Sequence, residues 1–346
     1  MAQMKYNKLF ISVLEDLAQK SIANREVFKS RAYNKAKETI MNISGAILKI
    51  EDIQSLPGIG KSIFERLEKA MLEHNLREKD TTTVISQEYK KDVILNASDI
   101  LTGVYGIGPV KAAQLIECGI TTIEKLREVQ FEVLNEKQII GLKHYEDVLR
   151  RIPRSEIDQY NNLLKRSLED TLKKNKISAS SGTKYEIVGS YRRGAADSGD
   201  IDIIVTSSSP SVFIKWIDRL IKDKVILDVL SRGPSKCLVM AKIPDSNVVR
   251  RVDFLYSPPD EFAFAILYFT GSKEFNTVMR SRALKFGFTL NEHGFHQMVD
   301  SGNNNRKVKG DKVAKLFEDE KAIFEALNMV WKEPHERKDG ASVVSI

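Results

Sequence analysis

Apolar positions recur at helical spacing near the start of the chain. Tyr6, Leu9, Phe10, Val13, Leu14 and Leu17 share one face, which predicts a helix with one buried side. Arg25 to Lys37 is basic around Phe28 and Tyr33 and reads as a solvated helix face. Another amphipathic helix, through Ile63, Phe64, Leu67 and Met71, follows the string Ile53-Gln-Ser-Leu-Pro-Gly-Ile-Gly-Lys61. Residues 6–80 are thus expected as short helices. Lys79 to Asp99 is polar with a threonine run and suits a hinge. Helical spacing returns over Ala112 to Cys118, stops at Gly119 and restarts near Thr121. It continues over Gln138 to Arg150 and, most clearly, over Glu156 to Lys174 through Ile157, Tyr160, Leu163, Leu164 and Leu168.

The period changes at Tyr185. Short apolar runs at Tyr185 to Val188, Ile203 to Val205, Val225 to Leu230, Cys237 to Ile243 and Val249 to Tyr256 predict strands. A helix is expected between them over Val212 to Ile221, after Ser207-Ser-Ser-Pro210. Glu261 to Phe269 reads as an apolar helix. Ser272 is placed to cap the next one, whose Phe275, Met279, Ala283 and Phe286 face inward. Ser301 to Gly310 reads as a polar loop, Phe317 to Trp331 as a helix, and the last residues as frayed.

A length of 346 residues exceeds one ordinary domain and points to about two to four. An α+β multi-domain chain is expected, with segments 1–80, 98–152, 153–259 and 260–346. Because 47 acidic residues accompany 54 basic ones, the net charge of +7 describes biased faces on a folded protein, not a polybasic tail. Such faces suit a polyanionic partner. Cys118 and Cys237 lie far apart, which suits a reducing compartment and excludes a disulfide framework or a CxxC metal site. No signal-peptide core and no apolar run of membrane length is present, so an intracellular protein with no membrane partner is expected.

The chemistry is concentrated between Tyr185 and Thr206. Asp200 and Asp202 are two apart at the start of a strand, so both side chains leave the same face. An isolated D-x-D more often marks a half-buried strand with a solvated acidic edge. Two adjacent carboxylates repel unless a cation lies between them, and Mg²⁺ with its oxygen ligands is the natural one. Gly189-Ser190 at a strand-to-helix corner frees backbone N–H groups for a phosphate, and Arg193 adds a forked donor. Asp253, in Arg-Arg-Val-Asp-Phe-Leu-Tyr, alternates onto the face of Arg251 and offers a third carboxylate, which Arg251 would orient. Two glycine turns, Leu56-Pro-Gly-Ile-Gly-Lys61 and Val104-Tyr-Gly-Ile-Gly-Pro109, recur roughly 50 residues apart before helices. Gly58 and Gly106 make the turns, while Gly60 and Gly108 let backbone approach a phosphate.

The string Gly189 to Asp202, G-S-Y-R-R-G-A-x-x-S-G-D-I-D, resembles the nucleotidyltransferase signature and, more narrowly, the DNA polymerase X family, nearest its beta-type members. The glycine turns resemble that family's helix-hairpin-helix motifs, and YFTGS followed by N-x-x-x-R resembles its nucleotide-selecting segment. The likeness runs from about residue 6 to Arg337 and leaves no further domain over, as in short, single-unit members. It implies a helical DNA-end-binding domain, a duplex-binding subdomain, a sheet-based palm and a thumb-like subdomain. The implied activity is template-directed gap filling from deoxynucleoside triphosphates on gapped or nicked double-stranded DNA, by a monomer. The nucleus is implied in a eukaryote, and the cytoplasm or virion for a virus.

By the same resemblance Asp200 and Asp202 hold two Mg²⁺ (or Mn²⁺) ions and Asp253 the one at the primer 3′-hydroxyl. Arg151, Gly189, Ser190, Arg193, Ser198 and Gly199 hold the triphosphate. Tyr268, Phe269, Gly271 and Asn276 face the sugar and base, and Arg280 meets the template minor groove. Lys29, Tyr33, Lys61 and Arg251 join the DNA contacts. Na⁺ or K⁺ would sit on carbonyls of Gln54, Leu56 and Ile59, and of Thr102, Val104 and Ile107.

Departures concentrate in the first domain. The position of a Schiff-base lysine is Arg66, whose delocalised cation is no nucleophile, so 5′-deoxyribose-phosphate lyase chemistry is doubtful. Ser62, Glu78 and Phe28 replace two basic residues and a histidine of the same pocket, and Lys273 stands where relatives carry an acid. A template-independent transferase and a non-catalytic DNA-end-binding protein are the alternatives.

Overall fold

The computed structural model describes residues 6–23, 26–43, 45–77, 97–244, 246–300 and 307–346. The chain divides into two compact units, Met1–Tyr145 and Glu146–Ile346.

The first unit is helical. Its helices Asn7–Ala23, Val27–Met41 and Lys61–Arg77 are longer than the short helices expected. Their apolar faces meet around Phe10, Leu14, Ile40, Ile53 and Leu67. A separate cluster holds Leu101, Val104, Leu115, Leu126 and Leu142 from a helix over residues 97–102 and the helices Pro109–Glu117, Ile123–Glu128 and Glu136–Lys143. The glycine turns share one backbone solution. Ile59 N donates to Leu56 O at 3.1 Å and Ile107 N to Val104 O at 3.0 Å. Gly58 and Gly106 both have φ 87°, a region that favours glycine. Each turn is propped by a different helix: Thr39 Oγ1 donates to Pro57 O (2.8 Å), and Gln138 Nε2 to Gly106 O (2.8 Å). Gln138 is itself fixed by a reciprocal cap with Asn135.

The second unit is built on a five-stranded sheet. Its spatial order is Lys184–Ile187, Ile201–Thr206, Arg250–Tyr256, Lys236–Ala241, Ile226–Arg232. Only the pair Ile201–Thr206 and Arg250–Tyr256 is parallel. Helices Arg154–Lys174 and Ser211–Lys222 contribute Tyr160, Leu164, Phe213 and Trp216 to the main core beside Ile201, Ile203 and Phe254. Helix Phe262–Thr270 brings Ala265 and Ile266 to Val188 and Ile204 in a smaller cluster. Beyond it lie helix Lys273–Lys285, capped by Ser272 Oγ as expected, and an antiparallel sheet of Phe288–Asn291, Gly294–Asp300 and Lys307–Lys312.

Five expectations are corrected. Phe286, expected to face inward with Phe275, Met279 and Ala283, is 45% exposed at the end of helix Lys273–Lys285. Gln138 to Arg150 is not one helix but two, Glu136–Lys143 and Tyr145–Val148, broken at His144. The helix expected over Phe317 to Trp331 is only Glu320–Ala326, started by Asp319, which accepts from Ala322 N, and stopped by Asn328 at φ 50°. Phe317 packs instead against the rings of Phe264 and Phe295. The expected loop Ser301 to Gly310 is already strand from Lys307, residues 301–306 lying outside those described, as do 79–96 of the expected hinge, while its last residues, 97–99, already begin a helix. The final residues are paired, Val330 N donating to Val344 O (2.9 Å) and Ile346 N to Asn328 O (3.2 Å).

Gly141 packs flat against the second glycine turn, where a Cβ would collide with the Tyr105 carbonyl and stand 3.0 Å from Tyr105 N. Gly141→Ala is expected to destabilise the first unit by about 1–3 kcal/mol. Urea unfolding checks it; an unchanged midpoint would mean that the turn yields freely.

Candidate active site

The parallel strand pair carries the site. Asp202 stands opposite Asp253 in register, and Asp200 immediately precedes the first strand. Ligand oxygens of Asp200, Asp202 and Asp253 lie within 4.8 Å of one another. Alternation sends Ile201, Ile203, Val252 and Phe254 into the core, and so turns both strand aspartates to the opposite face.

Crowded anions are costly. Burial first, then the Asp253 charge, push the Asp202 carboxyl up to about 6, against the pull of Arg193 and Lys236. Burial also raises Asp253, opposed by Arg251 and Lys236. Arg251 is ion-paired to Asp200 and holds Nε 3.6 Å from Asp253 Oδ1. That oxygen is buried and accepts no hydrogen bond. An all-carboxylate donor set with an orphaned anionic oxygen fits a hard divalent cation. Lys236 was not singled out in the sequence: it comes from a hairpin partner strand, and no local pattern marks it.

A polar rim adjoins the carboxylates. Gly189 opens the short helix Gly189–Arg192 at φ 64°, and a Cβ there would lie 2.7 Å from Asp202 Oδ2. Glycine is therefore required on two counts. Ser190 Oγ donates to Ser198 Oγ at 2.7 Å. Ser198 pairs with Ile152 across a two-stranded ladder, which brings Arg151 alongside Gly199. Arg193 Nη1 donates to the carbonyls of Thr270 (2.8 Å) and Gly271 (3.4 Å).

Tyr268, Asn276 and Arg280 line a common pocket. Asn276 Nδ2 donates to Tyr268 O (2.6 Å), and a Cβ on Gly271 would meet Asn276 Oδ1 at 2.6 Å. Phe269 packs instead toward the cluster of Val188 and Ile204. Arg192 ties the rim to this region by donating to Thr270 Oγ1 (2.8 Å) and Glu320 Oε2 (2.8 Å), and buried Arg337 joins the same glutamate. The sequence shows paired arginines but not the partner of Arg192, which lies more than a hundred residues on.

Four family descriptions match the chain: a helix-hairpin-helix domain over residues 5–76, the fingers domain of DNA polymerase lambda over 99–149, the DNA polymerase beta palm over 151–259 and the DNA polymerase beta thumb over 265–338. The chain belongs to the DNA polymerase X family. It is 31% identical to DNA polymerase lambda of Arabidopsis thaliana over 325 residues, 89% of this chain and 58% of that protein. With DNA polymerase lambda of Rattus norvegicus it shares 28% over 342 residues, 96% of this chain and 56% of that protein. A DNA nucleotidylexotransferase of Ambystoma mexicanum is 22% identical over 376 aligned residues, covering 96% and 68%. This family X chain thus spans a little over half the length of the two polymerase lambda relatives.

The other candidate residues of the family X chain lie in the first unit. Gln54, Leu56, Gly58, Ile59 and Gly60 form the first turn, and Thr102, Val104, Gly106, Ile107 and Gly108 the second. Lys61, Arg66 and Lys69 are exposed on helix Lys61–Arg77. Lys29 is exposed and ion-paired with Glu26 at 2.6 Å, Phe28 is 84% exposed, and Tyr33 is buried in the first core. Glu78 lies outside the described residues. Among the described residues no helix is long and apolar enough to cross a membrane.

Because Asp202 is raised from 3.8 to about 6, its folded form prefers the proton. Its stabilising share is complete below pH 4 and is lost as pH rises through 6. Asp202→Asn should flatten the fall in melting temperature between pH 4 and 6 and raise it at pH 7.5 without divalent ions. Added Mn²⁺ should raise the melting temperature of the parent alone. An unchanged pH profile would reject the crowding argument.

Proposed function

We propose that this chain is a template-directed DNA polymerase that fills short gaps by transferring a nucleotidyl group from a deoxynucleoside triphosphate to a primer 3′-hydroxyl. The carrying observation is the in-register Asp202–Asp253 pair with Asp200, beside a rim of hydroxyl, backbone and guanidinium donors. Asp200, Asp202 and Asp253 would hold two Mg²⁺ ions, which when bound acidify the primer hydroxyl and neutralise charge on the triphosphate. The protein's own part is positioning and charge stabilisation of in-line attack. Backbone and hydroxyl donors at Gly189, Ser190, Ser198 and Gly199, with Arg151 and Arg193, grip the triphosphate. Arg193 must exchange the carbonyls of Thr270 and Gly271 for phosphate oxygens, which links nucleotide entry to the end of helix Phe262–Thr270. Tyr268, with the Phe269 ring packed edge-on behind it at 5.1 Å, closes off the sugar's 2′ side, Gly271 leaves room for Asn276 at the base, and Arg280 reaches the template. Arg251 orients Asp253 through its Nε.

In the first unit the two turns bind DNA backbone without reading sequence. Gly58, Gly60 and Lys61 serve the gap edge with Lys29 and Tyr33, and Gly106 and Gly108 serve the duplex. A monovalent cation would draw on carbonyls of Gln54, Leu56 and Ile59, and of Thr102, Val104 and Ile107. The working segments are 1–80, 98–152, 153–259 and 260–346, acting as a monomer inside the cell. Template-independent addition is the rival, and one relative is named a DNA nucleotidylexotransferase.

Asp253→Asn should abolish addition of single dNTPs to a gapped primer-template with Mg²⁺, while DNA binding stays within about twofold, since one anion is removed from a site facing a polyanion. Normal turnover by that variant would sink the assignment. Equal addition to a single-stranded primer by the parent would favour the rival.

The exposed Arg66 predicts weak or absent lyase activity. Borohydride trapping on an incised abasic substrate should give little covalent adduct. A strong adduct would refute the loss, and its disappearance in Lys61→Ala would show where the chemistry moved.

A further inference from the structure

Arg151 does not stand free beside the phosphate rim. The ladder that sets Ile152 opposite Ser198 also sets Pro153 opposite Asp197, so Arg151 and Asp197 are diagonal neighbours on its outer face. Arg151 Nε donates to Asp197 Oδ1 at 2.9 Å, Nη2 stands 2.7 Å from the same oxygen, and Nη2 also donates to the Asp197 carbonyl at 3.1 Å. One edge of the guanidinium is therefore taken by a single aspartate. Nη1 remains on the side of Gly199, where a Cβ would come within 3.2 Å of it. Both side chains are about half exposed, so the pair adds little to stability. Its effect is on whatever anion approaches Arg151.

We propose that Asp197 is a positioning residue that weakens this chain's hold on the triphosphate tail by occupying the Nε–Nη2 edge of Arg151 and adding a negative charge beside it. The inference rests on the nucleotidyl-transfer reading above, in which Arg151 meets the triphosphate. A planar guanidinium grips phosphate best through two parallel N–H groups. With Nε and Nη2 committed to Asp197, Arg151 offers the tail the remaining amino group alone, or must break the pair to offer more. The nearby carboxylate also repels an anion whose charge is concentrated in that tail. Arg193 is held by neutral carbonyls, which carry no such full charge. The two arginines of the rim thus differ in what their N–H groups bond: one is tied to a carboxylate, the other to carbonyl dipoles. Weaker retention also applies to the diphosphate released in the transfer, which carries the same phosphates.

The test compares the parent chain, Asp197→Asn, Arg151→Gln and the double variant on a gapped primer-template with Mg²⁺. The readouts are KM for dNTP, kcat, and the inhibition constant of inorganic triphosphate. Asp197→Asn keeps the side chain's size and removes its charge. It should lower KM and the triphosphate inhibition constant together by roughly three- to tenfold at low salt, with a smaller change in kcat. The gain should shrink as ionic strength rises and largely vanish in the Arg151→Gln background. Unchanged or higher constants in Asp197→Asn, or an equal gain without Arg151, would overturn the inference. A parent that neither adds nucleotide nor is inhibited by triphosphate would instead remove the nucleotidyl-transfer reading itself.

Discussion

Two carboxylates in one register of a parallel strand pair, Asp202 and Asp253, are the constraint on which the second unit depends. Side chains alternate with period two, so a one-residue slip in either strand would bury its aspartate and expose its apolar neighbours. The core excludes that slip, because Ile201, Ile203, Val252 and Phe254 are almost wholly buried. The anions are therefore forced together, and the field around them is balanced by cations from three places. Arg251 comes from the same strand as Asp253, Lys236 from its antiparallel neighbour, and Arg193 from the helix after Gly189. Balance is incomplete, as the raised Asp202 and the Asp253 oxygen that accepts no hydrogen bond show. A structure that keeps such a deficit is arranged to receive positive charge.

The same helix after Gly189 is anchored at its far end. Arg192 reaches Thr270 and Glu320, and Glu320 is shared with Arg337, whose guanidinium lies over the Trp331 ring at 4.8 Å. Buried ion pairs of this kind give little net stability, but losing one partner strands the others in a poorly solvating interior. Their consequence here is positional. The helix after Gly189, beside Asp202, and the end of helix Phe262–Thr270 are joined by hydrogen bonds that both Arg192 and Arg193 donate to Thr270. Gly271, with no room for a Cβ beside Asn276, lies at that junction.

The first unit shows one backbone device used twice with different supports. The turn geometry is set locally by glycine at a positive φ and by the flanking apolar residues, so it recurs unchanged. Its buttress is not local. Thr39 props one turn and Gln138 the other, from helices on opposite sides of their turns in sequence.

Much was legible in the chain itself, and for a common reason. Helix and strand periods, the Ser272 cap, the D-x-D face and the two glycine turns are short-range patterns in which neighbouring residues constrain one another. Asp200 and Asp202 could be placed on one face from spacing alone. The helix expected to reach Trp331 shows the limit, since Phe317 leaves it for an aromatic cluster whose other rings come from distant segments. The register of Asp202 with Asp253, the pull of Lys236, the junction of Arg192 with Glu320 and Arg337, and the capture of Arg151 by Asp197 were settled only by tertiary structure. Each depends on which strand or helix lies beside which. That choice is made by burying apolar surface across the whole unit, and no local window of sequence contains it.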